Sequence, residues 1–450
     1  MNNTNVRKTI CAALAGLMLT MTGCGGMQVS TDMHIQDASE PDTIIEPDYT
    51  APADNTVSVA PLSDKAFEAN GVKPDEEFYA AYRNYAAEFF KASCNEDIKA
   101  GNNAMVSPES VMMALGMTAN GAKGDTLAQM EAVLGGHNID TLNNAMQYSM
   151  GKFMNSEYVD FNVANSVWVR DDSDRISISQ EFCNKVKNSY DADTFLAPFD
   201  GTTLGDINNW VYNNTNGMVP NILDEIPPEA VAYLVNAIAF ESEWETQYTD
   251  DKITENGIFT NAKGEEENVN MMYSDEYGFF EDENTTGFVK NYKGGEYAFM
   301  ALLPKEGTDM ADYVASIDGE KLNKLWSGRG GDASVCIPEF TYDYGNELSD
   351  ELIAMGMELP FSEGADFSGM GETGSGALYI NRVIHKTHIE VDRKGTKAAA
   401  ATAVEMTDEC AIYTDEPINT VYLNRPFVYA IVDTENGTPI FMGAVNTVNS

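Results

Sequence analysis

The sequence predicts an α+β domain, and three observations lead to this fold class. Of the 450 residues, 43% are apolar and 10% aromatic, which is enough to fill a large core and excludes disorder over most of the chain. Segments with helical periodicity and segments with strand periodicity both occur. They do not alternate in the regular order of a parallel α/β sheet, so a mixed arrangement of helices and strands is expected.

The chain begins with a predicted signal peptide over residues 1–23. Arg7 and Lys8 are followed by an apolar run to Met21, which is too short for a permanent membrane-spanning helix but suits a signal peptide. The small residues before Cys24 resemble the lipobox of bacterial lipoproteins, which implies cleavage before Cys24 and a lipid on its thiol. An ordinary secretory signal with a chance cysteine is the alternative. In both cases the protein leaves the cytosol, and we expect it at the cell surface, lipid-anchored to the membrane.

The next segment, residues 24–75, is predicted to be a disordered acidic tether. Between Gly25 and Asp64 it holds eight acids, four prolines and no lysine or arginine. Such a stretch cannot bury enough apolar surface to offset the entropy of ordering, and its like charges keep it extended. The tether would hold one large domain, residues 76–450, away from the membrane surface.

Three helices are predicted early in this domain. From Glu76 to Cys94, apolar residues recur at three-to-four spacing, as in a helix with one buried stripe. Ser107 offers an N-cap and Pro108 a first helical position, so a second helix is expected to start there. Asp125 is expected to cap a third helix, which the glycine pair 135–136 ends.

Three later segments have the pattern of strands. The first carries valines at 163, 167 and 169, and the others span residues 231–240 and 297–303. The last two are apolar enough to be buried on both faces of a sheet.

No familiar catalytic or metal-binding motif is present, and we predict no catalytic residue, metal or cofactor. His385 and His388 lie in an alternating apolar run, where residues three apart face opposite ways and do not share a metal. Six cysteines are too few for a disulfide scaffold. Cys94, Cys183 and Cys336 lie next to apolar residues and are expected to be small buried side chains.

The net charge excludes several classes of partner. The chain has 71 acidic and 27 basic residues, a formal charge of −44. Nucleic acids and anionic lipid headgroups are bound through lysines and arginines that neutralise phosphates. We therefore expect neither as a ligand.

The most informative region runs from Arg393 to Asn424. Residues 395–404 are small apart from Lys397, and a polar run without regular period follows up to Tyr422. A loop of roughly 25 to 30 residues inside a compact domain is normally functional or disordered. Read with period two, one face of this loop is small and then apolar, formed by Thr396, Ala398, Ala400, Thr402, Val404 and Met406. The loop is therefore a latent strand that could enter the middle of a sheet, and a flexible alanine-rich linker is the alternative.

This stretch resembles the hinge and reactive-centre loop of the serpins. The segment from Asn424 to Val445 is similar to the family's C-terminal signature. Further motifs that resemble the family occur in the right order and, together with that signature, cover roughly residues 78–446: Val106-Ser107-Pro108-Glu109-Ser110, Ala119-Asn120-Gly121-Ala122-Lys123-Gly124, Asn236-Ala237-Ile238-Ala239-Phe240, Ile337-Pro338-Glu339-Phe340, Ala365-Asp366-Phe367-Ser368-Gly369 and Ile384-His385-Lys386.

The resemblance implies a serpin fold, with three β-sheets, about nine helices and an exposed reactive-centre loop over about residues 393–423. In this family the serine of a protease becomes esterified to the loop's scissile residue. The cleaved loop then inserts as a new central strand before water can hydrolyse the ester. A bulky residue or a proline along residues 396–402 would slow insertion. Apart from Lys397, which lies on the other face, none occurs there, which favours an inhibitor over a non-inhibitory member.

The family's spacing also implies the hinge and the reactive bond. The hinge positions are Gly395, Thr396, Ala398, Ala400 and Thr402. Gly395 would lie fourteen residues before the scissile residue, which selects Glu409 with Cys410 following it.

The count from the other end leaves the bond open, because the distance from Glu409 to Pro426 exceeds that of many family members. Ile412, Tyr413 and Met406 are the alternatives. Glu409 would suit an acid-selecting protease, whereas Met406 or Cys410 would suit an elastase-like one.

Five further residues match a family cluster that controls opening of the sheet. Ser107, Ser110, Asn236 and His385 match a hydrogen-bonded cluster under the strands that part during insertion, and Trp244 matches a residue at the opening end. His385 is thereby expected to be structural rather than catalytic.

Two hinge residues depart from the family's pattern. Arg393 and Lys397 stand where acids are common, which puts the resting contacts of the hinge in doubt and could favour premature insertion or loop-sheet polymerisation.

We therefore expect a tethered suicide inhibitor that is not an enzyme. Its partners would be a serine protease, bound as a covalent acyl complex, with a papain-like cysteine protease as a further target class. A second partner would be the membrane, through the lipid on Cys24. The inhibitor is expected to be a monomer without a polyanion cofactor, and its negative charge would steer a basic protease toward it. The alternative is a non-inhibitory serpin that acts as a binding or chaperone-like surface lipoprotein.

Overall fold

The computed structural model describes residues 13–23, 56–62, 66–215, 221–374, 378–396 and 419–449. Within these ranges the α-helices are α1 Glu76–Ala100, α2 Pro108–Ala119, α3 Gly124–Val133, α4 Ile139–Asn155, α5 Gln180–Tyr190, α6 Gly201–Asn214, α7 Met310–Ala315, α8 Gly319–Ser327 and α9 Ser349–Ala354. None of these helices combines the length and the apolar character needed to cross a membrane.

The strands of the described residues are β1 Ala13–Gly23, β2 Ala104–Val106, β3 Val159–Arg170, β4 Ile176–Ile178, β5 Asp193–Ala197, β6 Ala230–Glu243, β7 Ile253–Thr260, β8 Glu266–Tyr277, β9 Phe280–Glu281, β10 Thr285–Asn291, β11 Tyr297–Pro304, β12 Asp332–Pro338, β13 Phe340–Glu347, β14 Gly371–Thr373, β15 Leu378–Val391, β16 Gly395–Thr396, β17 Asn419–Tyr422, β18 Phe427–Asp433 and β19 Pro439–Val445.

These strands form three large sheets and one two-stranded ribbon. The central sheet contains β13, β15, β6, β3 and β5, with β1 and β16 lying between β15 and β6. The second sheet has the order β2-β19-β18-β11-β10-β9, the third has the order β17-β12-β8-β7, and β14 pairs with β4. The predicted α+β architecture with three sheets and nine helices is confirmed for the described part of the chain.

The first two helices begin where the sequence predicts. The Asp75 side chain accepts a hydrogen bond from the Phe78 amide, and α1 buries its aromatic stripe. At α2, Ser107 is the N-cap and accepts from the Ser110 amide, while Pro108 occupies the first turn. Every residue of α2 is buried, so this helix lies inside the protein, directly beneath the central sheet.

The third helix starts differently from the prediction. Its N-cap is Lys123, which makes no side-chain capping bond, and Asp125 lies inside the first turn. The reason is a tertiary contact: the Lys123 amide donates to the Asp366 carbonyl, and the Asp366 amide donates to Thr126 Oγ1. The predicted end is confirmed, since the two glycines after Leu134 have the positive φ angles of 96° and 77° that favour glycine.

The apolar strands and cysteines lie where the sequence predicts. All eight residues of β11 are buried, and β6 is buried over Ala230 to Phe240. Cys94, Cys183 and Cys336 are buried and unpaired. Burial raises the pKa of the Cys336 thiol to about 12, so this thiol stays protonated at neutral pH.

The described part of the predicted tether is not detached from the domain. The Ser58 amide donates to Asp206 Oδ1 of α6 at 2.8 Å, and Asn209 donates to the Thr56 carbonyl at 3.1 Å. Val57 and Val59 pack against an apolar cluster that includes Trp168. Residues 66–75 also contact the domain. Phe67 packs against the main core, and the Val72 amide donates a hydrogen bond to α4. These described residues of the predicted tether therefore contact the domain, through apolar side chains and hydrogen bonds that the acidic composition does not indicate.

Candidate functional site: hinge and gate of the central sheet

The chain reverses direction at a tight turn directly after β15. The Asp392 carboxylate accepts hydrogen bonds from the Lys394 amide at 2.7 Å and from the Gly395 amide at 3.1 Å. The Asp392 amide donates to the Gly395 carbonyl at 3.0 Å. The turn sends β16 back antiparallel to β15, so that the predicted hinge begins inside the central sheet.

Two hinge residues are held between β15 and β6. Gly395 and Thr396 lie opposite Glu243 and Ser242 of β6, and Thr396 also lies opposite Val391 of β15. A Cβ added at Gly395 would come within 2.0 Å of the Ser242 carbonyl oxygen, so only glycine fits against this strand.

Thr396 is anchored by its hydroxyl as well as by its backbone. Its side chain is fully buried, and its Oγ1 lies 2.6 Å from the Tyr292 hydroxyl. Burial raises the pKa of Tyr292, which keeps the phenol protonated and able to share a hydrogen bond with the threonine.

Trp244 closes the same end of the sheet. Its indole N–H donates to the Asp392 carbonyl at 2.9 Å, and its amide donates to the Lys394 carbonyl at 2.7 Å. Its ring stacks on Tyr292 with centroids 4.7 Å apart and planes 7° apart. Trp244, the residue directly after β6, therefore holds the hinge turn, at the position where the sequence predicts the opening end.

Arg393 has acidic partners of its own. Its Nη1 lies 2.9 Å from Asp250 Oδ1, and its Nε lies 3.6 Å from Glu339 Oε1. The Tyr248 amide donates to its carbonyl at 3.0 Å. A basic residue at this hinge position is thus matched by acids on the neighbouring segments, which gives the turn resting contacts despite the departure from the family's pattern.

The four predicted gate residues form two hydrogen-bonded pairs, which join the start of α2 to β6 and to β15 beneath the space between these two strands. We call this space the central slot, and the residues Ser107, Ser110, Asn236 and His385 the gate. The Ser107 amide donates to His385 Nε2 at 3.1 Å, and the Ser107 hydroxyl donates to the Ile440 carbonyl at 2.9 Å. The Ser110 hydroxyl donates to Asn236 Oδ1.

All four gate side chains are fully buried. Asn236 belongs to β6 and His385 to β15. The first turn of α2 therefore forms hydrogen bonds with both strands that border the central slot. Because His385 Nε2 accepts a hydrogen bond, the neutral imidazole carries its proton on Nδ1. The gate is therefore a set of buried hydrogen bonds that join α2 to the two strands.

Asn165 extends the hydrogen-bond network of the gate, and the sequence analysis did not predict it. Asn236 donates to Asn165 Oδ1 at 2.6 Å, and Asn165 in turn donates to the Tyr190 carbonyl at 2.7 Å. Asn165 lies opposite Asn236 in the pairing of β3 with β6. The available signal was a polar residue at an inward position between Val163 and Val167, an apolar stretch of predicted strand.

A buried carboxyl lies next to the gate. Glu109 follows Pro108 in α2, is 4% exposed, and lines a small cavity of about 30 Å³ with Tyr82 and Lys152. Burial raises the pKa of Glu109, only partly offset by hydrogen bonding to neighbouring hydroxyls.

Several predicted positions lie outside the described residues. These are the reactive-bond candidates Glu409, Cys410, Ile412, Tyr413 and Met406, the hinge positions Ala398, Ala400 and Thr402, and the lipidation residue Cys24. Among the described residues no group of three or more His, Cys, Asp or Glu is placed to hold a metal ion. His388 lies against Asp343, apart from His385.

A sheet with a hinge at one end and a polar gate beneath its central strands is the arrangement of a serpin. The family profile described as "Serpin (serine protease inhibitor)" matches residues 80–448. The chain is 30% identical to a serpin-like protein of Thermococcus kodakarensis over 348 residues, which covers 76% of this chain and 80% of the relative. It is 28% identical to leukocyte elastase inhibitor A of Mus musculus over 391 residues, covering 82% and 99%.

Among solved structures, the native state of the thermophilic serpin tengpin superimposes with a TM-score of 0.78 at 38% identity, covering 86% of this chain and 99% of tengpin. This chain belongs to the serpin family. Serpins include protease inhibitors and are not enzymes.

Proposed function

We propose that this protein inhibits serine proteases by trapping them as acyl-enzymes while its cleaved loop enters the central sheet. The observation that carries the proposal is the position of β16. Gly395 and Thr396 already lie between β15 and β6, and the small-residue segment of the predicted loop follows directly along the chain. A cut beyond this segment would leave it free to continue as a strand in the same direction.

The walls of the central slot support a strand of that polarity. β1 pairs antiparallel with both β15 and β6, and β16 is antiparallel to both. The gate residues bind each wall through a separate hydrogen bond to α2, so a strand fits between the walls without loss of either bond. The sheet geometry is therefore compatible with an inserted loop.

We further propose that the inhibitor acts outside the cell, anchored through a lipid on Cys24. The support is the lipobox-like sequence before Cys24 and the acidic composition of the residues that follow it. A strongly negative inhibitor of this kind would attract proteases with a positively charged surface.

A panel of serine and papain-like proteases tests the trapping mechanism. The exported protein should form, with at least one of them, a complex that survives boiling in detergent. The peptide released from the loop identifies the reactive bond by its first residue. The expected bonds follow Glu409, Cys410, Ile412, Tyr413 or Met406.

Two substitutions on opposite faces of the predicted strand provide a matched pair. Ala400→Arg places a large charge on the inward face and should leave a loop that is cleaved without complex formation. Lys397→Ala lies on the outward face and should keep the complex. If every protease only cuts the loop and stays active, inhibition is refuted, and the non-inhibitory alternative takes its place.

A further inference from the structure

We infer that the N-terminal strand β1 occupies the place of the inserted loop, so that the uncleaved chain is held in a non-inhibitory state. This inference rests on the proposed function. Its first basis is that β1 lies inside the central slot, between β15 and β6. Residues Leu14–Gly23 pair with β15, and residues Ala13–Thr22 pair with β6.

The polarity of β1 is that of an inserted loop. β16 is antiparallel to β15 and to β6, so a continuation of β16 would also be antiparallel to both. β1 has this same direction relative to both neighbours. A strand of the opposite direction would have pointed to a different role, since it could not mimic the continuing hinge.

The register of β1 coincides with that of the loop. Thr396 lies opposite Ser242 and Val391, so Ala398 would lie opposite Phe240 if the strand continued. Ala13 lies opposite Phe240. In this register, a single residue position separates the end of β16 from the start of β1.

The same match holds along the slot on both walls. Leu14 lies opposite His388 and Ala239, which are the partners that residue 399 would have. Leu17 lies opposite His385 and Asn236, so it takes the place of Thr402 at the level of the gate. The match continues to Thr20, after which the pairing of β1 with β15 shifts by one residue.

Occupancy has a kinetic consequence for inhibition. Each strand of a sheet has two edges, and both edges of β1 are paired, so the loop cannot enter until the backbone hydrogen bonds of β1 on both sides are broken. In the family's mechanism, insertion competes with hydrolysis of the acyl-enzyme. A filled slot delays insertion, and the protease then releases a cut loop and escapes.

The segment that fills the slot is the predicted signal peptide, which the predicted cleavage before Cys24 would remove. Processing would then do more than attach the protein to a membrane. It would vacate the slot and convert an inactive precursor into an inhibitor outside the cytosol.

The test uses the full chain produced in the cytosol, so that residues 1–23 remain. Leu17→Pro removes a backbone N–H from the middle of β1 and should release the strand. Ile44→Pro, outside β1, is the matched control. For each protein we would measure covalent complex with a reactive protease, the melting temperature before and after loop cleavage, and hydrogen exchange of the amides in residues 13–23.

We expect the unmodified chain and Ile44→Pro to protect β1 from exchange and to show no rise in melting temperature on loop cleavage. In Leu17→Pro, the amides of β1 should lose their protection from exchange, and the melting temperature should rise on loop cleavage. This variant should also form about tenfold more covalent complex than the unmodified chain, which corresponds to a shift of about 1.4 kcal/mol.

Equal gains in the unmodified chain and in Leu17→Pro would overturn the inference, as would rapid exchange in β1 of the unmodified chain. The same applies if neither protein gains melting temperature, because releasing β1 would then have no effect on the loop. If Leu17→Pro gains melting temperature but traps no protease, the occupancy of the slot stands and the inhibitory function fails.

Discussion

The hydrogen bond between Thr396 and Tyr292 should stabilise the hinge, and Thr396→Val tests this. Valine keeps the shape of threonine and removes only the hydroxyl, whose Oγ1 lies 2.6 Å from the Tyr292 hydroxyl. Both side chains are fully buried, so water cannot replace the lost partner. A neutral hydrogen bond contributes about 1 kcal/mol, and a buried hydroxyl left without a partner raises the cost to about 2 kcal/mol.

Guanidinium unfolding followed by tryptophan fluorescence measures the loss, because Trp244 stacks on Tyr292. Tyr292→Phe should cost a similar amount for the same reason. The double variant should cost less than the sum of the two, by about 1 kcal/mol or more, since neither hydroxyl is then left without a partner. Thr260→Val, at an exposed position, should change stability by less than about 0.5 kcal/mol. Strict additivity of the two hinge variants would refute the reasoning.

Three further predictions concern the hinge turn and the carboxyl beside the gate. Gly395→Ala should displace β16 from the slot, because its Cβ would lie 2.0 Å from the Ser242 carbonyl oxygen; the expected result is faster hydrogen exchange at Thr396, and unchanged exchange would contradict the clash. Arg393→Ala should lower the free energy of unfolding by less than about 1 kcal/mol, since its partner Asp250 is almost fully exposed; a larger loss in a urea titration would show a stronger contact.

Glu109→Gln should raise the melting temperature at pH 7, because it removes a carboxyl whose folded-state pKa is raised by burial. The folded state binds this proton more tightly than the unfolded state does, so the stability of the unmodified chain should fall relative to the variant as pH rises above about 4.5. Glu255→Gln, at an exposed position, should show no such trend, and identical pH profiles for both variants would contradict the assignment.

Local features of the fold could be predicted where a few neighbouring residues decide them. Ser107 and Pro108 start α2 because an N-cap and a first-turn proline act within one turn of helix. Asp125 failed as a cap because the start of α3 is fixed by contacts with Asp366, more than 200 residues away along the chain.

The sequence by itself determined the family, because serpin motifs are short runs whose residue types can be matched in order. The same matching predicts the hinge and the gate residues. It also determined which strands are buried on both faces, since a continuous apolar run leaves no face for water. These features are set by residue type and spacing.

Only the tertiary structure decided which side chains meet. The pairing of Ser107 with His385 spans 278 residues, and that of Thr396 with Tyr292 spans 104. The docking of Val57 and Val59 and the position of β1 in the central slot also depend on surfaces that exist only once the sheet has formed. The sequence of an apolar segment does not indicate which strand it pairs with, because backbone hydrogen bonds form irrespective of most side chains. Which strand edges are available for pairing is decided only when the sheet has assembled.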